Sequence, residues 1–280
     1  MIQRVRDVMD DTRRKRPTIA ELREQARTCG RPYPEDFINL LASDERQGAQ
    51  ALCKQLKARQ LALDREKARI EAMKRVERGL NAKGYRLVAG VDEAGRGPLA
   101  GPIVAAAVIL SPETWISGLD DSKVLSEKKR LNLFPQIYEQ AIDVGVGVVD
   151  AAEIDRDGIQ SANFRVMRLA LGDLDTRPDG AIIDGFDVPG LDVYQKSIID
   201  ADRKCLCVAA ASVVAKVTRD EMMRNWHTLH PQYGFAKHKG YGTREHIKAI
   251  ARFGLCEIHR RSFLRSHKRR SSRPVARSPV

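Results

Sequence analysis

The chain has few cysteines and no long hydrophobic run. Its five cysteines are an odd number without Cys-x-x-Cys spacing, which argues against a disulfide framework and a structural zinc site. No apolar stretch approaches the roughly 20 residues that cross a bilayer, and the first residues lack the apolar core of a signal peptide. We therefore expect a cytoplasmic protein with reduced thiols and no membrane partner.

The length and the apolar content of the chain indicate a globular protein. A chain of 280 residues with 42% hydrophobic residues is long enough for one sizeable catalytic domain and an appendage. A monomer is the default expectation for its oligomeric state.

The basic residues are unevenly distributed. Residues 1–82 hold 19 Lys and Arg against 13 Asp and Glu, and residues 264–280 hold six basic residues and no acidic ones. Residues 83–263 balance at 24 of each sign. Seven basic residues nevertheless fall between Tyr233 and Phe263, against two acidic ones. A basic face beside acidic residues suits a polyanion that is held by its phosphates.

The pattern of residues divides the chain into three parts. Residues 1–82 read as a helical extension: Thr18 and Glu21 match a capping box, Arg31–Pro34 reads as a break, and a long amphipathic helix or a helical hairpin follows from about Ser43. Residues 83–263 read as the catalytic domain with a C-terminal helical part. Residues 264–280 are basic and polar, which predicts a disordered tail.

The catalytic part of the sequence predicts an α/β fold. Three stretches read as strands, of which the first two are expected to be antiparallel. They are 87–92, 103–110 and 144–149. Strand 181–184 and a short stretch before Asp202 alternate with helices, one of which is expected to run from about Ala209 through Trp226. The order describes a mixed β-sheet flanked by helices.

Carboxylates stand where several of these strands end. Asp92 and Glu93 follow one apolar run, Asp184 ends a second, and Asp202 follows a third. Like charges that converge at one sheet edge repel each other unless cations lie between them. Oxygen ligands of this kind suit Mg²⁺ or Mn²⁺, and the sequence does not discriminate between the two.

The order of five motifs resembles that of bacterial ribonuclease HII, over roughly residues 83–263. The helical extension also resembles that of the longer, Bacillus-type members. The motifs are Gly90–Pro102 (GVDEAGRGPLAGP), Asp121–Lys123 (DSK), Ile183–Gly185 (IDG), Ala210–Asp220 (AASVVAKVTRD) and His238–Thr243 (HKGYGT).

The resemblance implies an RNase H-like fold and a catalytic set of four carboxylates. These correspond to Asp92, Glu93, Asp184 and Asp202, which would be both catalytic and metal-binding residues. Asp220 is an alternative to Asp202, but it lies deep in a helical run, where a carboxylate more often caps or pairs.

The resemblance also implies the reaction. Members cleave the RNA strand of RNA–DNA hybrids and cut at single ribonucleotides embedded in duplex DNA. Two divalent ions, Mg²⁺ or Mn²⁺, would support an in-line displacement that leaves 3′-hydroxyl and 5′-phosphate ends. RNA–DNA hybrids and ribonucleotide-containing duplex DNA are therefore the expected partners.

Substrate contacts are expected from the same motifs. Gly95, Arg96 and Gly97 resemble the family segment whose backbone reads the 2′-hydroxyl, the group that distinguishes RNA from DNA. Tyr241 matches the tyrosine that stacks on the sugar at the RNA–DNA junction. Four side chains are placed to hold phosphates, although a solvated helix face explains the last two equally well. They are Lys123, Ser212, Lys216 and Arg219.

Two other interpretations remain open. A non-catalytic nucleic-acid-binding protein of the same fold would keep the basic face, but unpaired carboxylates would weaken its binding to a polyanion. A ribonuclease HIII-type enzyme would carry a glutamate as its fourth acid and a sheet-forming N-terminal domain, whereas this extension reads as helical.

Overall fold

The computed structural model describes residues 16–264, which fall into two compact units divided between Arg69 and Ile70. The expectations for residues 1–15 and for the tail 265–280 lie outside the described residues. The predicted domain boundary near residue 83 stays a prediction. Within the described range, no helix is long and apolar enough to cross a membrane.

The first unit is helical. Helix α1 (Ile19–Thr28) begins at the predicted capping box, in which Thr18 Oγ1 accepts from the amide of Glu21. Helix α2 (Glu35–Ala42) follows the predicted break at Arg31–Pro34, in a stretch to which the sequence analysis assigned no element. The helix was missed although Pro34 immediately precedes its first turn, where a proline is compatible with a helix. Leu22, Phe37 and Leu41 pack with residues of the next helix in one small core.

Helix α3 (Gln47–Met73) is a single long helix rather than a hairpin, and it begins later than the predicted Ser43. Its first turns supply Ala49, Leu52 and Leu56 to the core of the first unit. Its end, with Ile70 and Met73, belongs to the core of the second unit. Helix α4 (Arg75–Asn81) then precedes the sheet.

The second unit is built on a five-stranded mixed sheet, as predicted. The strands are β1 (Val88–Ala94), β2 (Ile103–Leu110), β3 (Ala141–Val149), β4 (Gly180–Asp184) and β5 (Tyr194–Ile198). Their spatial order is β3-β2-β1-β4-β5. The pairs β1–β2 and β2–β3 are antiparallel, whereas β4 lies parallel to both β1 and β5.

Helices cover both faces of the sheet. Helix α8 (Leu206–Leu229) packs on one face with α5 (Glu127–Gln140). Helix α7 (Ile159–Gly172) packs on the other face and follows the short α6 (Ala151–Asp157). The contact between β1 and α8 is close because Gly90 has no side chain: a Cβ there would lie 2.3 Å from the carbonyl carbon of Cys207.

Two short helices complete the C-terminal part of the second unit. They are α9 (Phe235–His238) and α10 (Arg244–Phe253), the second of which is capped by the side chain of Thr243. Together with the end of α8 they enclose a small core around Tyr233 and Phe235. The residues after α10 return to the connection between β1 and β2, where His259 forms an isolated bridge with Ala100.

Candidate active site

Two parallel strands bring Asp92 and Asp184 to the same sheet edge. Val91 of β1 pairs with Ile183 of β4, so the two aspartates are the next residues in register. The carboxyl ends of parallel strands meet at one edge of a sheet, which places both side chains at that edge. Asp92 is buried, with 3% of its surface exposed.

Asp202 reaches the same edge from a short 3₁₀ helix (Ala201–Arg203) that follows β5. The amide of Ala201 donates to Asp184 Oδ1 at 2.7 Å, which fixes this turn against the end of β4. Asp200 precedes it in the left-handed conformation, with φ of 53°. Asp202 is 2% exposed and turned inward.

The oxygen atoms of Asp92, Asp184 and Asp202 form a tight group. One carboxylate oxygen from each lies within 4.8 Å of the other two. Burial raises the pKa of Asp92 well above its usual range, and the charges of Glu93, Asp184 and Asp202 raise it further. Burial also raises the pKa values of Asp184 and Asp202. The negative charge of the three carboxylates is therefore poorly solvated, which favours either protonation or binding of a cation.

Glu93 lies beside this group rather than within it. Its side chain is mostly buried, and its Oε1 lies 3.6 Å from Nη1 of Arg96. Burial raises the pKa of Glu93, although the guanidinium of Arg96 opposes this effect. The charge of Glu93 acts on Asp92, so the two carboxylates belong to one electrostatic site.

Lys123 supplies a positive charge to the cluster. Its Nζ lies 3.3 Å from Asp202 Oδ2. Burial lowers the pKa of this ammonium, but the charges of Asp92, Asp202 and Asp121 outweigh that effect and raise it overall. The backbone of the same segment is fixed by Asp121, whose Oδ1 accepts from the amide of Lys123 at 2.8 Å.

Ser212 and Lys216 lie on α8. Ser212 is buried, and its Oγ accepts from the amide of Ser122 at 3.0 Å, so it holds the segment that carries Lys123. Lys216 Nζ lies 2.7 Å from Asp220 Oδ1. Arg130 Nη2 approaches the second oxygen of Asp220 at 3.9 Å. The role of Ser212 and Lys216 in holding phosphate stays a prediction, and Asp220, the alternative fourth acid, is paired with cations.

The segment 95–101, here called the glycine loop, connects β1 to the start of β2. Gly95 has φ of +101°, a conformation that favours glycine. Arg219 lies beneath the loop and is 1% exposed; its Nε donates to Pro102 O at 2.9 Å and its Nη2 to Ala100 O at 3.2 Å. The prediction that Arg219 holds a phosphate was wrong, because its guanidinium is buried under backbone carbonyls.

Arg260 contacts the same loop from the C-terminal part of the chain. It is fully buried, at 0% exposed, although the sequence analysis counted it in the basic face. That count was wrong because its guanidinium donates to the carbonyls of Gly95, Arg96 and Gly101. Burial lowers the pKa of Arg260 to about 9.

Tyr241 lies next to the glycine loop. Its side chain is 46% exposed, and a Cβ built on Gly97 would lie 3.9 Å from its ring. The segment 239–242, here called the tyrosine loop, is tied to the glycine loop because Leu99 N donates to Gly240 O at 2.9 Å. Gly95, Arg96, Gly97 and Tyr241 are thus adjacent, which brings together the residues expected to contact the sugar.

A second group of possible ligands lies away from this edge. It comprises His230, Cys256 and Glu257, with ligand atoms within 4.8 Å of one another. His230 Nε2 already bonds Glu257 Oε1 at 2.8 Å. His227, which precedes it by one turn, is not part of the group.

The donors of the main cluster fit a hard divalent cation. They are carboxylate oxygens, they are close together, and two of the three aspartates are buried where a cation would offset their repulsion. Among the described residues, Asp92, Asp184 and Asp202 would hold Mg²⁺ or Mn²⁺, with Glu93 adjacent.

The sequence analysis did not anticipate the burial of Arg219 and Arg260, and it missed a chain of histidines beneath Tyr241. His238, His246 and His259 are buried and contact one another through stacked or tilted rings. No spacing in the sequence indicates these contacts, because His259 joins the other two only where the chain returns to Ala100. An arginine between a histidine and a second arginine, as at position 260, is typical of a surface.

Comparison with known proteins gives a consistent result for both parts of the chain. The family model described as Ribonuclease HII matches residues 89–266. The model described as Ribonuclease HII N-terminal domain matches residues 18–81.

Individual relatives agree with these models. The chain is 42% identical to a ribonuclease HII of Clostridioides difficile (strain 630), over 89% of this chain and 98% of that protein. It is 45% identical to a ribonuclease HII of Bacillus licheniformis, over 88% and 96%. Among solved structures, the ribonuclease H2 of Pyrococcus horikoshii OT3 superposes with a TM-score of 0.56 at 27% identity, over 66% of this chain and 98% of that one.

Proposed function

The chain belongs to the ribonuclease HII family, and we propose that it hydrolyses the RNA strand at a site formed by Asp92, Glu93, Asp184 and Asp202. It is an endoribonuclease of RNA–DNA hybrids, as its relatives and its fold support. The single observation that carries the assignment of the site is the convergence of three aspartate oxygens within 4.8 Å at one sheet edge.

In this proposal the carboxylates would hold divalent cations. Asp92, Glu93, Asp184 and Asp202 would hold a pair of Mg²⁺ or Mn²⁺ ions, and such a pair would supply activation of a water molecule and stabilisation of the leaving oxygen of the phosphodiester. Asp92 and Asp184 come from adjacent strands and Asp202 from the turn fixed to Asp184, so the ligands are set by backbone hydrogen bonds. Such fixed ligands stabilise charge without rearranging during the reaction.

The remaining groups bind and orient the substrate. The ammonium of Lys123, which is largely exposed beside Asp202, would contact a phosphate next to the cleaved bond. The amides of the glycine loop would bond to the 2′-hydroxyl, and the ring of Tyr241 would stack on the neighbouring sugar. Cleavage would occur 5′ to a ribonucleotide, including a single one in duplex DNA, and leave 3′-hydroxyl and 5′-phosphate ends.

The other interpretations account for less. A non-catalytic binding protein would have no use for buried, converging carboxylates, which repel nucleic acid in the absence of cations. A ribonuclease HIII-type enzyme is disfavoured because the first unit is helical and residues 18–81 match the N-terminal domain model of ribonuclease HII.

The experiment is a cleavage assay of the full chain on duplex DNA with one ribonucleotide. We expect metal-dependent cleavage with Mg²⁺ or Mn²⁺, no cleavage with a chelator, and the stated ends on the fragments. An all-DNA duplex of the same sequence is the control. Metal-independent cleavage, or 2′,3′-cyclic phosphate ends, would exclude the mechanism.

A further inference from the structure

The hydrogen bonds of Arg260 orient the glycine loop. Its Nη2 donates to Gly95 O at 2.7 Å and its Nη1 to Arg96 O at 3.0 Å. In a trans peptide the N–H points opposite to the C=O. The amides of Arg96 and Gly97 therefore point away from the buried guanidinium. Arg260 thus orients the amides of Arg96 and Gly97, which the proposed function uses, toward the substrate side.

The side chain of His259, the residue before Arg260, is directed to the tyrosine loop. His259 Nε2 lies 3.1 Å from His246 Nε2, and His246 Nδ1 lies 2.9 Å from Tyr241 O. His259 Nδ1 in turn lies 3.0 Å from the amide nitrogen of Cys256. One chain of hydrogen bonds thus joins the backbone at residue 256 to the backbone of the tyrosine loop.

The backbone groups at the two ends fix which atom donates and which accepts in each of these hydrogen bonds. A carbonyl can only accept, so His246 Nδ1 donates to Tyr241 O and the Nε2 of a neutral His246 accepts. His259 Nε2 must then donate, which leaves its Nδ1 to accept from the amide of Cys256. All four groups are satisfied with both rings neutral, and burial favours that state by lowering the pKa of His246 to about 4.

Backbone bonds complete the connection. Arg260 N donates to Leu99 O and Gly101 N donates to Ile258 O, each at 2.8 Å. Residues 258–260 therefore lie alongside the glycine loop, with one side chain directed to each of the two loops. Arg260 contacts one loop directly, and His259 contacts the other through His246.

We propose that His259 and Arg260 are positioning residues for the two loops. Arg260 orients the amides of Arg96 and Gly97, which both substrates use, whereas His259, through His246, sets the placement of the Tyr241 ring and thereby the preference for a lone ribonucleotide in DNA. The inference rests on the proposed function of both loops. Neither side chain touches the substrate; both act through the backbone that they hold.

The test uses a matched pair of substitutions at residue 259. In His259→Gln the side-chain amide reaches the position of Nε2 and still donates to His246, whereas in His259→Asn the shorter amide reaches only the position of Nδ1. The measured quantity is the selectivity ratio: kcat/KM on a one-ribonucleotide duplex divided by kcat/KM on a long RNA–DNA hybrid. Tyr241→Ala is the reference variant, and unfolding midpoints are measured for all.

We expect the selectivity ratio to fall about tenfold in Tyr241→Ala and in His259→Asn, and to stay within about threefold of wild type in His259→Gln. The double variant His259→Asn/Tyr241→Ala should show the same ratio as Tyr241→Ala, because His259 acts through Tyr241. A multiplied loss in the double variant would overturn the inference, since the two residues would then act independently.

The other outcomes are also decisive. If Tyr241→Ala lowers the ratio while both His259 variants keep it, His259 is only structural and the inference fails while the proposed function stands. If Tyr241→Ala leaves the ratio unchanged, the proposed role of Tyr241 fails and the inference fails with it. Should His259→Asn not fold, His246→Gln gives the same comparison, because it keeps the contact to His259 and removes the bond to Tyr241 O.

Arg260 is tested separately. In Arg260→Lys a single ammonium cannot reach three carbonyls at once, which loosens the glycine loop. Because that loop would meet a 2′-hydroxyl in both substrates, kcat/KM should fall about tenfold on each, with an unchanged selectivity ratio. Wild-type kcat/KM on both substrates in a folded Arg260→Lys would contradict the positioning role.

Discussion

Lys123 Nζ lies 3.3 Å from Asp202 Oδ2, although the two residues are 79 positions apart in the chain. The contact brings a largely exposed ammonium to the edge of a buried carboxylate cluster. The same side chain can therefore offset the charge of Asp202 and face a phosphate that approaches the cluster. We infer that Lys123 contributes to substrate binding more than to the stability of the fold, since exposed ion pairs contribute little to stability.

The first prediction concerns this charge. Lys123→Gln should reduce the slope of log K against log salt concentration for duplex binding by about 1, because one phosphate contact is lost. Binding is measured by titration at several salt concentrations in an Asp184→Asn background, which keeps the substrate intact. Arg177→Gln is the control. Arg177 precedes the first residue of β4, at the end of the strand opposite to Asp184, and pairs with the exposed Asp192. Equal slopes for Lys123→Gln and its background would exclude the contact.

The second prediction concerns the metal ligands. Asp184→Asn should lower metal-dependent cleavage at a single ribonucleotide by at least about a hundredfold, because the amide keeps the shape of the side chain but loses the charge that holds the cation. Duplex binding should remain within a few-fold of wild type. Calorimetry with Mn²⁺ should show weaker metal binding in the same variant.

The matched control for Asp184 is Asp192→Asn. Asp192 lies in the connection between β4, which ends at Asp184, and β5, and its side chain is 99% exposed. Its substitution should leave cleavage and Mn²⁺ binding unchanged. Undiminished cleavage by Asp184→Asn would remove this residue from the mechanism.

The third prediction concerns the contact that positions β1 against α8. Gly90→Ala should destabilise the fold by about 3 kcal/mol or more, because its Cβ would fall 2.3 Å from the carbonyl carbon and 2.4 Å from the next amide nitrogen of α8. Gly172→Ala at the end of α7 is the control: apart from its chain neighbours and the nearby backbone of its own helix, no atom lies within 4 Å of a Cβ at this position. Denaturant unfolding measures both. Equal stability of the two variants would show that the close approach is not required.

The sequence was sufficient to predict the parts of the site that depend on local pattern. Apolar strands that end in Asp92 and Asp184 indicate a shared sheet edge, and the mixed sheet with flanking helices was confirmed. Helix α2 was missed because the prolines at 32 and 34 suggested an interruption, whereas the second one precedes the first turn of a helix.

The buried arginines could not be predicted for a different reason. The exposure of Arg219 and Arg260 depends on backbone carbonyls more than 100 residues away in the chain, and no local pattern reports such partners. The histidines beneath Tyr241 are likewise brought together by the return of the chain after α10. A charged residue in a basic stretch reads as surface until its long-range partners are known.

The last prediction concerns the pH dependence of stability. Burial, together with the smaller effects of His238 and His259, lowers the pKa of His246 from its ordinary 6.5 to about 4, although the bond to Tyr241 O opposes the shift. The unfolded chain then binds a proton more readily than the folded one. The contribution of a neutral His246 is therefore complete above pH 6.5 and is lost as the pH falls toward 4.

The size of this effect follows from the shift. His246 should lower the free energy of unfolding by about 3 kcal/mol between pH 7 and pH 4. In His246→Asn the side-chain amide can still donate to Tyr241 O but does not titrate in this range, so its stability should fall less over the same interval. Denaturant unfolding of both proteins at several pH values isolates the histidine, because the carboxylates are common to both. If the free energies of unfolding of the two proteins changed in parallel with pH, His246 would be protonated as readily in the folded enzyme as in the unfolded chain. Its burial against His259 and the carbonyl of Tyr241 argues against that result.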